Sequence, residues 1–197
     1  MFNIIVITAE NIINCEAEII NTLFHSGLSR LHLRKPKATY SQMEEIINCI
    51  DKRYYDRIVV HDHHELAVKY NLGGIHINSR NRERPIGYNG SVSCSCHSIS
   101  ELKDKRDEFD YLSLSPIFNS ISKEGYQSNF TASQLIKARK DGIIDDKVYA
   151  LGGVDVDNIS LLGHYGFGGA MILGYMWDND GDKAVERFIH ILRSINS

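Results

Sequence analysis

The sequence predicts an α/β fold, a compact single-domain (β/α)8 TIM barrel over residues 1–197. Three observations carry that expectation. Eight short apolar runs alternate mainly with segments of helical periodicity, which implies a parallel sheet with right-handed crossovers. The first run lacks the glycine fingerprint that opens a doubly wound dinucleotide fold. The length of 197 residues suffices for one sizeable core, and in so small a barrel the fourth helix is expected to be missing.

Taken in order, residues 3–9 (NIIVITA) are β-branched and nearly continuous, which suits a strand covered on both faces. Residues 16–24 place Ile19, Ile20, Leu23 and Phe24 on one helical face, and Gly27 ends that helix. Residues 31–33 form the second strand. Ser41, with Glu44 as its capping partner, then opens a helix with Met43, Ile46, Ile47 and Ile50 inward. Strand three covers residues 57–60, a short helix 65–70 and strand four 74–77, while the polar stretch 79–90 has no helical pattern. Strand five spans 91–95. Ser98 and Glu101 cap the next helix, and strand six covers 110–114. Thr131 caps a helix carrying Leu135, Ile136 and Ala138, closed by Gly142. Strand seven covers 147–151, a short helix 157–164 and strand eight 169–173. The last helix, 182–195, turns Val185, Phe188, Ile189 and Leu192 inward.

Composition narrows the function. With a formal net charge of -3 and no basic face, nucleic acid is not the expected partner. No apolar run approaches the ~20 residues needed to cross a bilayer, so no membrane partner is expected either. The first residues read as a strand rather than a signal peptide. Cys15, Cys49, Cys94 and Cys96 have no CxxC spacing, which points away from a zinc site or a disulfide framework and toward a reducing cytoplasm. Pairing of the chain with itself is left open, with no interface named.

In such a barrel the chemistry sits where strands end. Those ends carry His32, Arg34, Lys35 and Lys37 after strand two, and His61, Asp62, His63 and His64 after strand three. Strand four supplies His76 and Asn78, and strand five supplies Ser95, His97 and Ser98. Strand six (YLSL) breaks at Pro116, which cannot continue a central strand, and is followed by Asn119, Ser120, Ser122 and Lys123. Hydroxyls, amides and an ammonium packed after a strand end suit a phosphate or diphosphate. Gly152-Gly153 and Gly174 follow strands seven and eight, where barrels often bind phosphate through backbone N–H groups. Basic and hydroxyl groups dominate, so the face should attract a small anion. His61 and His63 have the spacing of a metal chelate, but no acidic or histidine cluster after strands seven and eight completes a hydrolase shell. Asp62 alone could hold Mg²⁺ through oxygen, sharing it with substrate phosphates.

Six segments resemble the thiamin-phosphate synthase and TenI-like superfamily: HLRKPK (32–37), HDHHELAVKYNLGGIHI (61–77), SCHS (95–98), SPIFNSISK (115–123), ALGGV (150–154) and GFGGAMILG (166–174). The resemblance implies a transferase of thiamin biosynthesis that joins hydroxymethylpyrimidine diphosphate to thiazole phosphate and releases diphosphate. It implies that Arg34, Ser120, Ser122 and Lys123 hold the diphosphate and that Ser95 lies beside pyrimidine and diphosphate. By the same resemblance Asp62 is the retained Mg²⁺ ligand, and Gly153 and Gly174 help bind the thiazole phosphate; Gly152, beside Gly153, is read as substrate-binding with them. The chain departs from the synthase pattern at several points. His32 stands where that pattern has glutamine, Pro36 where it has lysine and His61 where asparagine is usual; these two histidines are read as substrate-binding. The run Asn78-Ser79-Arg80-Asn81 lacks the second Mg²⁺ carboxylate. Two alternatives stay open: a TenI-like thiazole tautomerase, whose pattern has histidine where Pro116 stands, and a non-catalytic protein that binds thiamin precursors.

Overall fold

The structure, a computed structural model, describes residues 2–119, 129–177 and 181–195. Eight parallel strands close into a barrel in sequence order: β1 (Asn3–Ile7), β2 (Arg30–Leu33), β3 (Ile58–Val60), β4 (Gly74–Ile77), β5 (Ser91–Cys96), β6 (Tyr111–Leu114), β7 (Val148–Leu151) and β8 (Gly169–Ile172). The registers Val6↔Leu31, Leu31↔Ile58 and Ile4↔Ala170 set one class of side chain outward against the helices. Those positions are apolar: Ile4, Val6, Leu31, Leu33, Ile58 and Val60 are all buried in the main core. The outer layer is built from α1 (Glu16–His25), α2 (Tyr40–Cys49), α3 (Glu65–Tyr70), α4 (Ile99–Lys105), α5 (Ala132–Lys140), α6 (Leu162–Tyr165), α7 (Gly174–Trp177) and α8 (Ala184–Ile195). No helix joins β4 to β5.

The barrel interior has two halves. Ile5, Ile7 and Met171, with Tyr149, Leu151 and Leu173 against them and Tyr111 of β6 joining the same cluster, make a mainly apolar side centred on β1, β7 and β8. Strands β2, β4, β5 and β6 turn His32, His76, Ser93 and Ser113 inward, all buried, and β3 places Val59 beside His32. The alternation in SVSCSC and RLHL thus runs apolar-out and polar-in, because in a barrel the outer face packs on helices and the inner face lines the site. None of the helices is long and apolar enough to cross a membrane, among the described residues.

Several expected details shift. Thr39, not Ser41, caps α2. It has the extended backbone an N-cap requires, and it forms a reciprocal capping box with Gln42. Glu44 is released from capping and accepts from Lys69 Nζ at 2.6 Å and Tyr70 Oη at 3.0 Å, tying α2 to α3. Residues 52–57 form a 3-10 turn that the sequence pattern did not reveal. The expected helix 157–164 is a 3-10 turn (Ile159–Leu161) running into α6, and α8 is preceded by another (Gly181–Lys183). The buried face of α8 is Ala184, Phe188 and Ile191, rotated from the expected one, and Ile136 of α5 is exposed.

Candidate functional site

A cavity of about 910 Å³ opens at the C-terminal mouth of the barrel, and its lining runs from Ile7 of β1 to Leu173 after β8. Arg34, after β2, is set by Thr8 after β1. The Thr8 hydroxyl accepts from Arg34 N at 2.9 Å and donates to Arg34 O at 3.2 Å. The Arg34 guanidinium lines the cavity and pairs with Glu10 at 2.7 Å. Lys35, read from sequence among the rim cations, is not on the rim. It points back under the loop after β1, fully buried, and donates to Ala9 O, Asn11 O and Glu16 Oε1 at 2.7, 2.7 and 2.5 Å. Burial pushes the Lys35 ammonium down and the Glu16 carboxyl up, against the attraction each exerts on the other. Lys37 is exposed and outside the cavity.

Below the cavity lies a connected polar cluster. Tyr111 Oη is 2.7 Å from His32 Nε2, and His32 Nδ1 is 2.9 Å from His61 Nε2. His76 Nδ1 meets Ser93 Oγ at 2.8 Å and His76 Nε2 meets Ser95 Oγ at 3.1 Å, while Ser113 Oγ donates to Ser95 Oγ at 2.9 Å. His61, His76 and Ser95 reach the cavity. His32 does not: the inward register of β2 puts it in the layer beneath, fully buried under His61, so its expected direct contact with substrate becomes a supporting one. Burial, then the fields of neighbouring imidazoles and arginines, holds His32 and His61 well below the ordinary imidazole range and takes His76 to about 3. The three rings are therefore neutral at physiological pH. Tyr111, whose own pKa burial raises, is available to donate to His32. Donation from Tyr111 would leave the His32 proton on Nδ1, facing His61.

Nitrogens of His32, His61 and His76 come within 4.8 Å of one another, close enough to suggest a metal tripod. The rings argue otherwise. His61 and His76 stack at 4.2 Å with planes 20° apart, so their in-plane lone pairs run side by side instead of converging. The chelate spacing of His61 and His63, already set aside for want of a completing shell, is not used: His63 has φ 54°, and its Nε2 lies 3.0 Å from Ala38 O.

The resemblance makes Asp62 a Mg²⁺ ligand, and its surroundings do not fit that ion. Asp62 Oδ1 accepts from Arg80 Nε at 3.2 Å, Arg80 Nη2 at 3.1 Å and Asn81 Nδ2 at 2.9 Å. The Asn81 amide nitrogen also donates to His61 O at 3.2 Å, so it faces two acceptors and turns its oxygen away from the carboxylate. Asn78 Oδ1 is occupied by Arg80 N and Asn81 N at 2.9 and 3.1 Å. A hard cation needs oxygen ligands, and the loop offers the carboxylate nitrogen donors instead.

Across the cavity, Gly152 and Gly153 have φ 94° and 67°. A Cβ on Gly153 would sit 2.4 Å from Asn119 O, so the backbone of this turn packs as only glycine permits. Their carbonyls accept from Phe118 N at 3.0 Å and Asn158 Nδ2 at 2.8 Å. Gly174 begins α7 and also lines the cavity. Pro116, after β6, lies against Gly152, and His97 Nδ1 is 3.2 Å from Ser115 O. Ser120, Ser122 and Lys123 lie outside the described residues.

Residues 4–174 match the profile of the family described as Thiamine monophosphate synthase. The chain belongs to this family. It is 26% identical over 179 residues to the thiamine-phosphate synthase of Clostridium tetani, covering 86% of this chain and 84% of that one. A solved thiamine phosphate pyrophosphorylase from Bacteroides thetaiotaomicron superposes with a TM-score of 0.90 at 39% identity, covering 99% of this chain and 98% of the other. One from Pyrococcus furiosus gives 0.77 at 18% identity, covering 99% and 96%, a likeness of fold. Membership accounts for the cavity's position. It does not account for Arg80, which sequence reasoning passed over. The signal was there: a basic residue in the run where the synthase pattern has a carboxylate.

Proposed function

We propose that this chain is a transferase of thiamin biosynthesis that joins hydroxymethylpyrimidine diphosphate to thiazole phosphate. The observation that carries the reading is the family match across residues 4–174 together with one cavity lined by Arg34 after β2 and by Gly152, Gly153 and Gly174 after β7 and β8. Two anionic substrates have to meet in the reaction, and the two groups of residues suit one anion each. Arg34, with Ser120, Ser122 and Lys123 after β6, would hold the diphosphate. The glycine turns would hold the thiazole phosphate through backbone N–H groups.

The bond between the pyrimidine methylene carbon and the diphosphate oxygen breaks, and the electron pair leaves with the diphosphate. The thiazole nitrogen lone pair then forms the new C–N bond, giving a thiazolium product without a required proton transfer. Positioned cations stabilise the charge that develops on the leaving oxygen. His61 and Ser95 face the space where the pyrimidine would lie, and neutral His61 can exchange a hydrogen bond with a ring nitrogen or amine without adding charge.

The test is to supply both substrates and measure thiamin phosphate and diphosphate. Equal amounts of the two products are expected. Lys123→Ala should lower turnover at least about a hundredfold in folded protein, as removal of one preorganised transition-state donor does. Near-wild-type turnover in that variant would remove Lys123 from the diphosphate site, and absence of both products from folded wild type would overturn the reading.

A further inference from the structure

We propose that Arg80 takes the place of a divalent cation at Asp62, so that anion binding in this cavity is independent of metal. The identity of the anion as a diphosphate rests on the synthase reading; the exchange of cation does not.

The Asp62 carboxylate has a side-chain exposure of 10%, and a charge so enclosed needs a partner. Arg80 is that partner, through Nε and Nη2 on one carboxylate oxygen and Nη2 at 3.5 Å from the other. The loop carrying Arg80 is fastened beside Asp62 by other bonds. Asn78 Nδ2 donates to His61 O at 2.6 Å, Asn78 N donates to Asn81 O at 3.1 Å, and Asn78 Oδ1 receives the backbone N–H of Arg80 itself. A divalent ion would have to displace the guanidinium, turn the Asn81 amide against two acceptors, and then find its remaining oxygens in substrate and water alone.

Arg80 is also half-exposed and lines the cavity with Arg34 and Arg82. Its Nε/Nη2 edge serves Asp62, and the planar guanidinium carries further N–H donors suited to a phosphate oxygen. Asp62 then orients a resident cation, which is the part a carboxylate plays when it holds Mg²⁺. Arg80 would be the group in contact with the anion and Asp62 its positioning residue.

Two titrations test this. In the first, Mn²⁺ is followed by its paramagnetic resonance signal without any substrate. Wild type should bind no more Mn²⁺ than Asp62→Asn. Arg80→Ala, freed of the competing charge, should bind it at least about tenfold tighter, and Asp62→Asn in the Arg80→Ala background should abolish the gain. Arg80→Gln serves if the truncated side chain does not fold. In the second, inorganic diphosphate is titrated calorimetrically at fixed free concentration, in EDTA or in Mg²⁺. Wild-type affinity should agree within about threefold between the two, and Arg80→Ala in EDTA should bind about tenfold or more weakly, the loss of a charge-assisted bidentate contact. Wild-type Mn²⁺ binding that Asp62→Asn removes would overturn the proposal, as would tenfold tighter diphosphate binding with Mg²⁺. Failure of every form to bind diphosphate, with the Mn²⁺ results as expected, would instead overturn the diphosphate reading and leave the exchange of cation supported.

Discussion

Lys35 illustrates how a single side chain can be read correctly in kind and wrongly in place. The run RKPK put three cations after β2, and sequence offered no means of ranking them. Only the fold brings Glu16 of α1 beneath Lys35, and that acid captures the ammonium. Buried opposite charges of this sort are weak as a gain and costly to break, since removal of one leaves the other unpaired. Lys35→Ala is therefore expected to destabilise the protein by about 3–5 kcal/mol in urea unfolding. A loss below about 1 kcal/mol would mean that Glu16 simply takes up a proton, as its raised pKa would favour. His32 is the second such case. Its place near a strand end suggested substrate contact, and the inward register instead buries it between Tyr111 and His61.

Strands β2, β3 and β4 are expected to make folding sensitive to acid, chiefly because each leads to one buried imidazole and to a smaller degree because the rings lie together. They bring His32, His61 and His76 into one buried cluster whose pKa values are all lowered. The unfolded chain takes up protons on these rings below about 6.5. The folded chain does not until far lower pH, so between those limits the unfolded state binds more protons and stability falls as pH falls. Three rings give a limiting slope of about 4 kcal/mol per pH unit once well below pH 6.5. Urea unfolding at pH 7.5, 6 and 5 should show most of the loss in the lower interval. A flat profile would mean that the cluster takes up protons while folded. The strands themselves were largely legible, because each is a short β-branched or alternating run between turn residues. The 3-10 turns were not, since residues 52–57 and 159–161 lack a period that distinguishes them from loop or helix. The α2 cap was misplaced by two residues because Thr39 and Ser41 both have suitable partners three residues on, and backbone geometry decides between them.

At the scale of the molecule, the barrel sets a mainly apolar lining from β1, β7 and β8 beside inward polar residues from β2, β4, β5 and β6. The mouth of such a barrel offers flat apolar contact and directional hydrogen bonds in one cavity, which suits the pairing of two heteroaromatic rings that each carry phosphate. The outline of this site was readable from the strand-end residues, and Arg34, His61, Ser95, Gly152, Gly153 and Gly174 all reach the cavity. What stayed hidden was the relation between Asp62 and Arg80, 18 residues apart and joined only when β3 and β4 lie side by side. That relation turns the missing carboxylate at Asn81 from a defect into part of a different charge arrangement. The most direct measurement is therefore the rate of thiamin phosphate formation from both substrates in excess EDTA and again in millimolar Mg²⁺. Product is expected in both, at rates within about threefold, because the cation that meets the leaving diphosphate belongs to the chain. Product that forms only with Mg²⁺, and is lost in Asp62→Asn, would contradict it.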